Sequence, residues 1–189
     1  GRFDVLLEKT KPVLETLRAQ YTDRTLPLLR LPELTDDLAA LEPVAARYRD
    51  QFDDVVILGT GGSSLGGQTL CRLANVGFGP CEGTPKIHIC DNVDPHSSSV
   101  MLEQLVLERT GFLVISKSGS TAETMMQFLV CLKAVQGVVG KDKASAHFTA
   151  ITEPGDNLLR RIAIKYDMTI LDHDPDIGGR YSALSLVGL

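Results

Sequence analysis

Several of the short signatures that most readily betray a function are missing from this sequence. It holds four cysteines (Cys71, Cys81, Cys90 and Cys131), none in a CxxC pair and none at zinc-finger spacing from a histidine. Thiols scattered in this way are expected to be reduced and mostly packed in a cytosolic interior, and no metal is implied. There is no run of Lys or Arg, and the formal charge of -5 argues against a general nucleic-acid binder or a partner of anionic membranes. No signal peptide is expected, and no apolar run approaches the about 20 residues that span a bilayer. The expectation is a soluble, cytoplasmic protein. Repeats and low-complexity tracts are also lacking. The chain opens at Gly1 and stops inside the apolar run from Ala183 to Leu189, so a piece of a longer protein is expected.

What is present suits one globular domain with a modest extra element: 189 residues are enough to bury a core without disulfides. Residues 1–50 read as a helical N-terminal segment. Leu6, Val13, Leu14 and Leu17 share one helical face, interrupted by Pro12. Leu38, Leu41, Ala45 and Tyr48 share another, opened by Thr35-Asp36-Asp37 as a cap, with Pro43 a possible kink or fresh start. From residue 51 to 189 the pattern changes. Short apolar runs at 55–58, 86–90, 112–116, 148–152 and 168–171 alternate with helical stretches near 66–74, 97–108, 122–136 and 156–166. Alternation of this kind predicts βαβ units: an α/β, three-layer, doubly wound sandwich on a five-stranded parallel sheet. Ligands of such sheets bind at the carboxyl ends of the strands, where the strand order reverses. Attention therefore falls on the residues that follow each strand.

After the first strand comes Gly59-Thr60-Gly61-Gly62-Ser63-Ser64-Leu65-Gly66-Gly67. Gly61 and Gly62 would let the backbone approach a ligand, and Ser63 and Ser64 offer hydroxyls at a helix start. The dinucleotide fingerprint fails because Ser64 stands where its third glycine belongs, and no Walker GKS or GKT follows. By itself this loop signals an anion site or a purely structural turn.

After the third strand comes Ser116-Lys117-Ser118-Gly119-Ser120-Thr121-Ala122-Glu123-Thr124, with five hydroxyls and a lysine around a helix start. Hydroxyls, exposed N–H groups and the helix dipole together suit a phosphate monoester. Ser120-x-x-Glu123 is also a capping box, which would leave Ser116, Ser118 and Thr121 for a ligand.

The fifth strand is followed by Asp172-His173-Asp174-Pro175-Asp176-Ile177-Gly178-Gly179-Arg180-Tyr181-Ser182. Its acidic stretch reads as a solvated turn rather than a metal site. Gly179-Arg180 brings a fixed cation to the same sheet edge, before a helix that Ser182 could cap. A surface ion pair with the nearby aspartates is the competing reading of Arg180. His88 reads as a packed strand residue, Asp91, Asn92 and Asp94 as a turn or a site lining, and Met125 and Met126 as core filler.

The order GTGGSSLGG, SKSGSTAET, GGRYSALSLVGL resembles the phosphoglucose isomerase family, a branch of the sugar isomerase (SIS) domain proteins, over residues 50–189. The resemblance implies a sugar-phosphate partner, no cofactor, and a homodimer in the complete protein. Carried over by residue, Ser63, Ser116, Ser118 and Thr121 are implied phosphate ligands, with Lys117 contributing through its main chain. Gly61, Gly62 and Gly179 are implied to line the site. Arg180 is implied to stabilise an enediolate, and Glu123 matches an acid near the family's ring-opening histidine. Thr60 departs from the usual isoleucine, and Gly119-Ser120 from an aromatic–threonine pair. The family's glutamate base, histidine and lysine lie further along the chain, so these residues alone are expected to bind without turning over. The alternatives are a non-catalytic SIS regulator that senses a sugar phosphate, a bifunctional phosphoglucose/phosphomannose isomerase, and an isomerase fusion.

Overall fold

Short runs rich in β-branched and other apolar residues give the molecule its frame. The computed structural model describes residues 1–74 and 83–189. Cys81 therefore lies outside the described residues. Two compact units are present, Gly1–Leu34 and Thr35–Leu189. The first holds helix α1 (Arg2–Thr22), which continues through Pro12, and a 3-10 segment, Pro27–Glu33, where Tyr21 hydrogen-bonds Glu33 and Arg30 lies over the Tyr21 ring.

In the second unit five strands form one parallel sheet in the order β2-β1-β3-β4-β5. They are β1 (Asp54–Leu58), β2 (Lys86–Cys90), β3 (Thr110–Ile115), β4 (Phe148–Thr152) and β5 (Thr169–Asp172). The helices are α2 (Asp36–Gln51), α3 (Gly62–Ala74), α4 (Pro95–Gln104), α5 (Ala122–Val139), the single turn α6 (Lys141–Ala144) and α7 (Leu158–Lys165). The expected five-stranded doubly wound sheet is the one observed.

Both faces of the central strands β1, β3 and β4 are covered, which is why they are mostly apolar, whereas β2 at the edge is half-exposed. On one face Val56, Leu58, Phe112, Val114, Phe148 and Ala150 pack against Phe128, Leu132 and Val135 of α5 and Leu159 and Ala163 of α7. On the other, Ile57, Ile115, Ile151 and Leu171 meet Leu41 and Val44 of α2 and Leu186 and Val187 near the C-terminus. Tyr48 of α2 is buried there too, with its hydroxyl 2.9 Å from the Phe112 carbonyl. The sequence reading grouped α2 with the N-terminal segment, but α2 belongs to the sheet unit, and the observed division falls at 34/35 rather than at 50. Helical spacing shows which residues share a face; it does not show which layer that face meets.

Helix α5 is the one helix among the described residues long and apolar enough to span a membrane by length and composition, a threshold the sequence reading does not credit to any segment. It connects β3 to β4 and buries Met125, Phe128, Cys131, Leu132 and Val135, as a core helix does. Met126, read as core filler beside Met125, is instead 57% exposed, because it lies on the outer side of that helix.

β1 leads outward to β2, whereas β3 returns to the opposite side of β1. The strand order thus reverses at the carboxyl ends of β1 and β3, where the Gly59 and Ser116 loops leave the sheet, the place where such folds bind ligands.

Candidate functional site

The turn after β1 is built by its own backbone. Ser63 N–H donates to the Thr60 carbonyl at 3.2 Å and Ser64 N–H to the Gly61 carbonyl at 3.1 Å. The two serines then part company. Ser64 is buried, with its hydroxyl donating to the Gly61 carbonyl at 3.2 Å. Ser63 is half-buried, with no hydroxyl partner among the described residues. Gly62 is required by a close approach: a Cβ on it would lie 2.1 Å from the Gly179 carbonyl oxygen and 2.8 Å from Arg180 N. No side chain fits between the α3 start and the Gly179-Arg180 backbone, so the first and last motifs touch main chain to main chain.

The loop after β3 departs from the capping-box reading. α5 starts at Ala122 with Thr121 as N-cap, and no side chain caps it. Ser120 instead turns back, its hydroxyl 3.2 Å from Ser118 Oγ. The first intrahelical bond runs from Met125 N–H to the Thr121 carbonyl, leaving the N–H groups before it outside the helix ladder. Beside them Ser116, 2% exposed, lies with its Oγ 3.0 Å from Thr121 Oγ1. Ser118 is exposed. Four hydroxyls thus surround an uncapped helix N-terminus, where partial positive charge accumulates. Gly119 adopts φ +64° against the side chain of Asn157, and its carbonyl accepts from Leu159 N–H at 2.9 Å.

Lys117 turns its side chain away from these hydroxyls. Its ammonium donates to the Pro175 carbonyl at 2.8 Å and the Ile177 carbonyl at 2.9 Å, and pairs with Glu153 at 3.1 Å. This leaves its main chain as the part available to a ligand in the loop.

The acidic stretch after β5 is held by turn bonds. Asp176 N–H donates to Asp174 Oδ1, and buried His173 hydrogen-bonds the Asp174 carbonyl through Nδ1. A 3-10 turn, Gly179–Leu184, follows. Ser182 lies within it and donates to the Gly179 carbonyl at 2.7 Å, so it closes the turn rather than capping a helix. Arg180 is exposed and has no ion pair among the described residues, which removes the reading of an aspartate-bound surface arginine. Glu123 is likewise exposed and unpaired in the first turn of α5.

Elsewhere, His88 pairs with Asp54 at 2.6 Å on the sheet edge, and Asp94 caps α4 by accepting from Ser97 N–H at 2.8 Å. The Ser97 bonds hold the Asp94 carboxyl below its ordinary value. Asn92 gives its carbonyl to Gln127 Nε2. Ser63 and the loops of Ser116 and Arg180 therefore meet at one sheet edge as the sequence suggests. Asn157 and Glu153, which shape that edge, were not singled out. The run Asn157-Leu158-Leu159-Arg160 carries the N-cap signal that would have found Asn157, whose Oδ1 accepts from Arg160 N–H.

With that geometry in place, comparison with known proteins is decisive: the model of the family described as phosphoglucose isomerase matches residues 29–189. The chain belongs to the phosphoglucose isomerase family. A glucose-6-phosphate isomerase of Rubrobacter xylanophilus is 37% identical over 187 residues, covering 97% of this chain and 43% of that protein. Among solved structures, a hypothetical protein of Thermus thermophilus superposes with a TM-score of 0.80 at 32% identity, over 98% of this chain and 44% of the other. A glucose-6-phosphate isomerase of Chlamydia trachomatis superposes with a TM-score of 0.69 at 29% identity, over 81% of this chain and 28% of the other. The chain thus spans under half the length of these family relatives.

Proposed function

We propose that the protein carrying this chain is a glucose-6-phosphate isomerase, interconverting glucose 6-phosphate and fructose 6-phosphate in glycolysis and gluconeogenesis. The observation that carries this reading is that the turn of Arg180, which has no ion pair among the described residues, and the uncapped, hydroxyl-lined start of α5 both follow carboxyl ends of strands in one sheet. In this reading Ser63, Ser116, Ser118 and Thr121 donate hydroxyl hydrogens to the substrate phosphate. Lys117 and the first residues of α5 add main-chain N–H groups. Gly61, Gly62 and Gly179 line the approach. A homodimeric, cytoplasmic protein belongs to the same reading and is supported by the family resemblance.

Aldose–ketose isomerisation removes a proton beside the carbonyl and returns it to the neighbouring carbon. The cis-enediolate between these steps carries negative charge, and a guanidinium held beside it lowers the barrier to its formation. Arg180 is free to take that part in this reading because no carboxylate among the described residues pairs with it. In this reading Glu123, exposed on the first turn of α5, takes the part of the family's acid near the ring-opening group. A sensor of sugar phosphates needs the hydroxyl cradle but has no use for the arginine.

The test is Arg180→Ala in the protein that carries this chain, assayed in both directions by coupled spectrophotometry. Turnover is expected to fall about 100- to 1000-fold, as when one preorganised oxyanion donor is removed, with a much smaller change in KM. Unchanged turnover would remove Arg180 from the chemistry and favour a binding role for the domain.

A further inference from the structure

We propose that Lys117 and Glu153 form a positioning strap that holds the Arg180 turn at a fixed distance from the phosphate loop; this rests on the reading of the site given above. The sequence places Lys117 amid hydroxyls at a phosphate loop, where an ammonium could in principle reach an anion as a point charge. Its geometry is otherwise. An ammonium has three hydrogens, and here three acceptors surround it: the Pro175 carbonyl, the Ile177 carbonyl and the Glu153 carboxylate. The main chain of the same residue works in the other direction. Its carbonyl accepts Glu153 N–H at 3.0 Å and the Thr152 hydroxyl at 3.2 Å. One residue therefore joins the loops after β3, β4 and β5.

The joined segment leads directly to Arg180. Ile177 is fully buried, and Arg180 follows it by three residues. From the other side the Gly179 carbonyl rests against Gly62, so the arginine's backbone is held between the α3 start and the Lys117 strap. Arg180 itself has no side-chain partner among the described residues, and its placement there depends on that backbone. Lys117 and Glu153 are each about 30% exposed, so their bonds are shielded in part from water. Charge-assisted bonds from an ammonium to two carbonyls are stronger than neutral ones, which suits a strap.

The test separates the phosphate from the other end of the ligand. Inorganic phosphate reads the cradle alone. 6-Phosphogluconate adds a carboxylate where the enediolate would carry its charge, within the reach proposed for Arg180. Both are titrated calorimetrically into the parent chain, Lys117→Met, Arg180→Ala and the double variant. Lys117→Met is expected to leave phosphate affinity nearly unchanged and to weaken 6-phosphogluconate about 10-fold, within the worth of a charge-assisted bond. In the Arg180→Ala background the same substitution is expected to cost nothing further, since the strap acts through that arginine. Glu153→Gln, which keeps the shape and removes the charge, is expected to shift 6-phosphogluconate in the same direction by less. It serves as the measurement should Lys117→Met fail to fold.

Equal losses for both ligands in Lys117→Met would make the ammonium a direct phosphate ligand and overturn the strap. Additive losses in the double variant would overturn it as well. If the folded parent chain takes up neither ligand, the reading of the site fails, and hydrogen exchange at residues 177–182 judges the strap by itself. Faster exchange there in Lys117→Met retains it, and unchanged exchange removes it.

Discussion

Tyr48 joins α2 to the sheet through one hydroxyl. That hydroxyl lies 2.9 Å from the Phe112 carbonyl and 3.1 Å from Thr149 Oγ1, in a site closed to water. Burial pushes its ionisation up to about 12 from 10.0, against the easing pull of the Thr149 hydroxyl and the nearby Arg47 guanidinium. Because the folded value is raised, the neutral phenol favours the folded state. The contribution is complete below pH 10 and is lost as pH rises toward 12, at a slope of at most about 1.4 kcal/mol per pH unit. Tyr48→Phe is expected to destabilise the chain at neutral pH by about 1–2 kcal/mol and to flatten the alkaline decline, as read from urea midpoints between pH 8 and 12. An unchanged alkaline slope would mean that other groups govern it. At this scale the sequence was an uneven guide. It marked Ser116, Ser118, Thr121 and Arg180 as residues of one edge, because strand ends, hydroxyls and glycines are visible in one dimension. It did not reveal that Lys117 points its ammonium at Pro175 and Ile177, since the direction of a long side chain depends on acceptors nearly sixty residues away.

The elements of this fold meet with little room to spare at the site and with room in hand elsewhere. α3 begins against the 3-10 turn so closely that a methyl on Gly62 would overlap backbone atoms of Gly179, which cannot rotate aside. On α5, by contrast, Gly137 is exposed, and a methyl there would meet nothing within 4 Å. Gly62→Ala is therefore expected to cost about 1–3 kcal/mol or more from overpacking. Gly137→Ala is expected to gain up to about 1 kcal/mol from helix propensity. Opposite shifts of the thermal midpoint would bear out this contrast, and two shifts of the same sign would contradict it. The strands and most helices were legible because buried parallel strands are short β-branched runs and the loops between them carry glycine and proline. The Ser120-x-x-Glu123 pattern misled, because Thr121 takes the cap position and Ser120 bonds Ser118 instead. A capping box describes a local option; here hydroxyl pairs within the loop offer another.

For the molecule as a whole, the strand order decides what the loops can do together. β1 and β3 lie side by side with their crossovers running to opposite sides, so the Gly59 and Ser116 loops leave the sheet next to each other at the switch point. The Arg180 turn reaches the same edge from β5 by packing on α3. In the proposed reading that assembly would let an acidic chain hold an anion: helix N–H groups and hydroxyls supply the field, and Arg180, without an ion pair among the described residues, supplies charge. The sequence foretold the edge but not the tightness of its closure, which arises from backbone contact between segments more than a hundred residues apart. The most direct test of the account is calorimetric titration of this chain with 6-phosphogluconate and with inorganic phosphate, beside the Ser118→Ala, Thr121→Ala double variant. The account predicts saturable binding of both ligands by the parent chain and at least about a 10-fold loss in the variant, the worth of hydrogen bonds to a charged group. A folded parent that binds neither, or a variant that binds as well as the parent, would contradict it.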